Sequence, residues 1–154
     1  DASKGAYLIR DFDERPRGGV VIVRGTSSTN TVVSILDDIS SKYNVKIVSA
    51  ISWELFDMQD SEYKSSIIGD QEWADSMVIT NTGLNVMKNW ISNRVVADYS
   101  LSPDWDNRWR TGGSLEQIID EAHLSPRWVM KSIAKFATDR SKRLERLKQE
   151  IPEK

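Results

Sequence analysis

Residues Val20–Ile51 read VVIVRGTSSTNTVVSILDDISSKYNVKIVSAI, and their order decides the fold. Val20–Val23 is an unbroken β-branched run, the pattern of a strand buried on both faces. It passes into Arg24-Gly25-Thr26-Ser27-Ser28-Thr29-Asn30, a polar turn rich in residues that cap helix N-termini. Val32, Val33, Ile35, Leu36, Ile39 and Tyr43 then fall on one helical stripe, while Asp37, Asp38, Ser41 and Lys42 face away. Asn44 suits a helix stop, and Val45–Ile51 reads as a second strand. Strand, helix and strand in so short a span make a βαβ unit with parallel strands.

The flanking sequence extends this unit. Upstream, Ala6–Ile9 (AYLI) predicts an antiparallel edge strand, ended by the charged stretch Arg10–Arg17 and a Gly18-Gly19 turn. Downstream, Ser52–Gln59 reads as a loop heavy in large apolar groups. Asp60 or Ser61 caps a short helix through Ile68, with Gly69 as its stop. Met77–Thr80 is a third strand, Leu84–Ile91 a helix, and Arg94–Leu101, carrying Val95-Val96, a fourth strand. Ser102–Gly113 has turn chemistry and two tryptophans. Ser114–Gln117 is a capping box, and Ser125-Pro126 opens a further helix with Val129, Ile133, Phe136 and Ala137 inward. Residues 139–154 read as an exposed helical tail or a docking strip, with Arg140, Lys142, Arg143, Arg146 and Lys148 against Glu145 and Glu150 on a solvated helix face. The expected architecture is α/β: one domain over 1–154, a three-layer sandwich with a mixed, mostly parallel sheet of about five strands and helices on both faces.

Composition narrows the function. The 154 residues carry 21 basic and 23 acidic side chains, a formal net charge of −2, so no basic surplus points to nucleic acid or an anionic membrane. No cysteine is present, which removes disulfides, thiolate metal sites and a thiol nucleophile. One histidine leaves no histidine pair for catalysis. The chain starts at Asp1 without an apolar leader, and the expectation is a piece of a longer protein.

Four features carry candidate chemistry. Arg24, Gly25, Thr26, Ser27, Ser28 and Thr29, running on to Asn30, form a candidate anion site, because a helix start offers free N–H groups and partial positive charge. No Gly-rich phosphate motif accompanies them, and a plain capped βα turn explains the same residues. Trp53, Leu55 and Phe56 form a candidate interface around Glu54 and Asp57, two carboxylates three residues apart. Trp105 and Trp109 form a second candidate interface, beside Arg108 and Arg110 in a loop where Asp104 and Asp106 cancel the charge. His123 ends a short helix, where the dipole favours a cation. No catalytic, cofactor-binding or metal-ligating constellation emerges.

Several stretches together resemble the third, C-terminal domain of transketolases. Lys4-Gly5-Ala6-Tyr7-Leu8 is similar to that domain's opening, and Gly25-Thr26-Ser27-Ser28 to its turn after the next strand. The most specific likeness is Val48–Gln59 (VSAISWELFDMQ) followed by Glu62-Tyr63-Lys64, which resembles the family's V-S-M-P-S-W-E-L-F-D block. The likeness runs from about residue 2 to 138 and does not separate transketolase from its formaldehyde-using relative, dihydroxyacetone synthase. It implies homodimeric enzymes that move a two-carbon ketol unit with thiamine diphosphate and a divalent metal (Mg or Ca). Those cofactors would lie between the other domains, so none is expected in this one. The implied partners are the other domains of the same polypeptide and a second subunit, without nucleic acid or membrane. The implied location is cytoplasmic, or peroxisomal for a dihydroxyacetone synthase. Three positions depart from the pattern: Ser28-Thr29 and Asn81-Thr82 stand where the family has acidic residues, and Asp98–Leu101 replaces H-x-F-G. Those departures imply an atypical member, or a paralogue whose third domain has new contacts.

Overall fold

The computed structural model describes residues 2–110 and 112–150. Strand β1 (Ala6–Arg10) is followed by β2 (Gly19–Arg24), α1 (Thr26–Ser34), α2 (Leu36–Lys42) and β3 (Val45–Ala50). Then come α3 (Trp53–Asp57), α4 (Ser61–Ile67), α5 (Asp70–Ala74) and β4 (Ser76–Thr80). A 3₁₀ segment (Leu84–Trp90), α6 (Arg94–Tyr99), α7 (Leu115–Glu121), α8 (Pro126–Thr138) and α9 (Arg140–Glu150) complete the order. Among the described residues the sheet has four strands, in the order β1-β3-β2-β4. β2 pairs in parallel with β3 and β4, and β1 runs antiparallel to β3 at the edge.

Side-chain alternation divides the sheet into two cores. Val21, Val23, Val45, Ile47, Met77 and Ile79 face one side, where Val32 and Ile39 meet Val129, Ile133 and Phe136. Val20, Ile22, Val48, Ala50 and Val78 face the other, under Phe56, Ile67, Met87 and Trp90. That second core holds an aromatic knot. Trp53 meets Trp90 edge-on at 5.2 Å, Phe56 lies 5.3 Å from Trp90, and the Trp73 indole N–H donates to the Trp90 carbonyl at 2.8 Å.

The sheet is one strand smaller than expected, because Arg94–Leu101 is helical. Asn93 caps α6 by accepting from the Val96 N–H at 3.0 Å. Val95 and Val96 are buried as a helix face rather than a strand. Only Leu101 reaches the sheet, bridging Ile79. Beside it the Ser100 hydroxyl accepts from the Val78 N–H at 2.9 Å, which covers the open edge of β4. Ser52–Gln59 is likewise no loop: Ser52 caps α3 by accepting from the Leu55 N–H at 3.3 Å. Gly69 ends α4 as expected but also starts α5, where Glu72 accepts from its N–H at 3.1 Å. The single helix expected after β2 is broken at Ile35. Thr31 and Ser34 donate their hydroxyls back to the Ser27 and Thr31 carbonyls, competition that bends helices.

The C-terminal charges were expected on a solvated face, and Arg143 is not. It is 1% exposed, lies 3.6 Å from the Phe136 ring centroid, and donates to Asp75 Oδ1 at 2.8 Å and to the Gly18 carbonyl at 2.8 Å. Arg140 donates to the other Asp75 oxygen at 2.8 Å. α9 is therefore clasped to the turn that leads into β4.

Asp75→Ala strands the Arg143 guanidinium in the interior, and a loss of about 3 kcal/mol in urea unfolding is expected. Arg140→Ala, which removes a partly exposed partner, is expected to lose less than about 1 kcal/mol.

Candidate functional site

Strand order reverses after β3, because the chain crosses back over β2 to place β4 on its far side. Ligand sites of open α/β sheets lie at the carboxyl ends of the strands around such a reversal. A cleft of about 610 Å³ opens there, lined from β2 and α1 by Arg24, Gly25, Thr26, Thr29 and Asn30, and from the loop after β4 by Asn81 and Thr82. Tyr7 and the end of β3 form its third wall.

The expected turn is the first turn of α1 itself. Gly25 is the N-cap, with φ +93°, a conformation that L side chains rarely adopt. A Cβ there would collide with the Asn81 carboxamide, so glycine is what lets the two loops approach. Asn81 then donates to the Ser27 hydroxyl at 3.1 Å and ties β4's loop to α1. The candidate anion residues divide accordingly. Arg24, Gly25, Thr26 and Thr29 line the cleft, Ser27 is engaged by Asn81, and Ser28 is 2% exposed on the inward side of α1, one turn before Val32. Gly25, as N-cap, has no side chain to cap the first N–H groups of α1.

The carboxylates of α3 do not form an acid–base pair. Glu54 accepts from the Ser52 hydroxyl at 2.9 Å, and Asp57 from Lys64 at 3.5 Å. Glu54 is held below the ordinary carboxylate range by its own backbone N–H and by Ser52, with a smaller contribution from the charge of Arg24. The first candidate interface also divides. Phe56 is 2% exposed, and Trp53 packs against the core beside it. Leu55, at 43% exposure, faces outward. Sequence reading missed Met58, which is 81% exposed at the end of α3. Its signal was available, since placing Trp53 and Phe56 inward on a helix turns Leu55 and Met58 out.

In the second candidate interface Trp109 is 96% exposed, whereas Trp105 stacks on His123 at 4.2 Å. The other face of His123 stacks on Trp128 at 3.8 Å, so the imidazole is a filling between two indoles. Arg108 and Arg110 pair with Asp106 rather than with the loop tryptophans, and the cations over Trp128 are Arg127 and Lys131. The helix dipole does not decide the state of His123. Burial first, then the Arg110 charge, lower its pKa below 6.5, with Lys131 adding to the effect and Asp106 and Asp120 opposing it.

As pH falls, the unfolded chain takes up the histidine proton before the folded chain does. The stability tied to His123 is full above the unfolded value near 6.5 and is lost as the pH falls through it toward the lower folded value. Urea unfolding between about pH 7.5 and 5 is expected to show this slope, above the range where carboxylates titrate. His123→Asn, which suits φ +62°, is expected to flatten it. The single imidazole resonance in an NMR titration checks the direction independently, with a midpoint below 6.5 expected.

The family model described as transketolase-like TK C-terminal domain matches residues 5–98. A chloroplastic transketolase of Craterostigma plantagineum is 36% identical over 67 residues, which are 42% of this chain and 13% of that protein. The transketolase of Nostoc is 30% identical over 69 residues, 44% of this chain and 10% of the relative. Transketolase from Campylobacter jejuni superposes with a TM-score of 0.62 at 16% identity, over 88% of this chain and 19% of that one. Transketolase from Leishmania mexicana superposes with a TM-score of 0.61 at 18% identity, over 89% and 18% of the two chains. The matched region is thus a small part of each relative's length. The family match spans all four strands and the cleft between them, and this chain belongs to the transketolase-like C-terminal domain family.

Proposed function

We propose that this chain is the C-terminal part of a transketolase-type polypeptide that moves a two-carbon ketol unit between a ketose and an aldose. Its role there is to dock neighbouring domains and support the dimer. The reading rests on family membership and on one observation, an apolar rim at the carboxyl end of the sheet. Ile51 after β3, Leu55 and Met58 on α3, and Val86 on the 3₁₀ segment are 41%, 43%, 81% and 57% exposed. Trp53 and Phe56, anchored in the aromatic knot, hold α3 rigid enough to present its outer side chains. Exposed apolar groups gathered at one end of a domain favour burial against another surface.

In this proposal thiamine diphosphate and its divalent metal, Mg or Ca, belong to other parts of the polypeptide. Among the described residues no three His, Cys, Asp or Glu side chains come together as metal ligands. Dihydroxyacetone synthase chemistry is not favoured, since the relatives compared above are transketolases by name.

The test separates the chain from the remainder of its polypeptide and mixes the two. Co-elution in size-exclusion chromatography is expected, and Leu55→Asp with Met58→Asp is expected to weaken association about tenfold or more. The melting temperature of the chain alone should hardly move, because both side chains are exposed in it. Association that survives the double substitution, or none in the parent sequence, overturns docking through this rim.

A further inference from the structure

We propose that the cleft between β2 and β4 binds the phosphate ester of a small hydroxylated molecule, with Arg24 as the anion anchor. Docking at the apolar rim is not needed for this.

Three observations converge. The first is volume: about 610 Å³ at the strand-order reversal lies within the range of small-molecule sites and exceeds what a bare phosphate fills. The second is an unmatched charge. Nine arginines of this chain pair with carboxylates: 10, 15, 17, 108, 110, 127, 140, 143 and 146. Arg24 is half-buried, yet among the described residues it forms no ion pair, and its guanidinium meets only the Met87 sulfur at 3.7 Å. Glu54 is near enough to feel that charge but is engaged by Ser52. A guanidinium offers five donors in a planar fork, suited to phosphate and poorly matched by one thioether. The uncapped first turn of α1 adds partial positive charge to the same wall.

The third observation is the remaining lining. Tyr7, Thr26, Thr29 and Asn30 face the cleft, and their side chains make no hydrogen bond among the described residues. Hydroxyls and a carboxamide both donate and accept, which complements the hydroxyls of a polyol. Among the described residues no carboxylate lines the cleft to repel an anion.

The experiment titrates the chain with glycerol 3-phosphate, inorganic phosphate and glycerol, following amide shifts at Arg24–Thr29 and Asn81–Thr82 by NMR. Glycerol 3-phosphate is expected to saturate those shifts with a Kd of about 1 mM or tighter. Inorganic phosphate is expected to bind the same amides several-fold more weakly, and glycerol not to bind. Arg24→Gln is expected to weaken the ester about tenfold, and Arg24→Lys to restore part of the loss. Asn30→Asp, a change at an exposed position that places a negative charge on the cleft, should weaken binding even if the Arg24 variants disturb packing. Absence of shifts at about 10 mM ester overturns the site, as does unchanged affinity in both Arg24→Gln and Asn30→Asp. Phosphate binding as tightly as the ester overturns the assignment of a hydroxylated ligand.

Discussion

The burial of β2 is the constraint on which the rest of the molecule depends. Val20–Val23 are at most 1% exposed, and the strand is hydrogen-bonded on both edges, to β3 and to β4. Both faces then need an apolar cover, and both neighbours, being parallel, need crossover connections. One crossover fills the face that holds Val32 and Ile39, and the other fills the face that holds Phe56 and Ile67. The chain leaves β2 toward one layer and β4 toward the opposite one, so the loops that follow them diverge. The cleft is the space left by that divergence, and Gly25 with Asn81 sets how closely its walls approach.

Legibility in the sequence followed the strength of local signals. The βαβ unit was readable because Val20–Val23 and Val45–Ile51 are continuous β-branched runs separated by one helical stripe. The antiparallel edge strand, the caps at Asp60 and Ser114 and the helix start at Ser125-Pro126 were readable from composition at fixed offsets, although the Ser125 hydroxyl donates to Asp120 rather than capping α8. Arg94–Leu101 was misread because two adjacent valines fit a strand as well as a helix, and the deciding residue, Asn93, lay outside the segment being judged. Ser52–Gln59 was misread because its helix is a single short turn and its apolar residues look continuous. Arg143 could not be placed from sequence at all. Its partner Asp75 is 68 residues away, and a basic helix with a thin apolar stripe looks the same whether or not one guanidinium is drawn inward. Of the candidate site, the location was legible from the strand–turn–helix pattern. The contributions of Tyr7, Asn81 and Thr82 were not, because they arrive from other strands.

The carboxyl end of the sheet carries two chemistries side by side. Its apolar rim is built on α3 and the 3₁₀ segment, elements anchored by the aromatic knot around Trp90. Its polar cleft is built on α1 and the β4 loop, held by the Ser27–Asn81 hydrogen bond. Arg24 stands between them, reaching Met87 on the rim side while lining the cleft. A surface docked on the rim would therefore change the solvation of the guanidinium, and it would also meet the cleft wall at Ile51, which belongs to both. Ligand and partner would then be coupled to the extent that each alters that one group.

The limits of the family match illuminate the division between pattern and packing. The family match ends at residue 98, yet the residues beyond it are not an appendage. Val129, Ile133 and Phe136 of α8 are fully buried in the core that Val21, Val23, Met77 and Ile79 face, so a chain ending at residue 98 would leave that face of the sheet covered only in part, by α1 and α2. The superpositions agree, covering 88% and 89% of the chain at 16% and 18% identity. A covering helix has to supply only an apolar stripe of suitable volume, which many sequences satisfy. The loops at the carboxyl ends must instead meet particular backbone conformations, such as the positive φ of Gly25. Sequence similarity therefore persists where geometry is dictated residue by residue and fades where only burial is required.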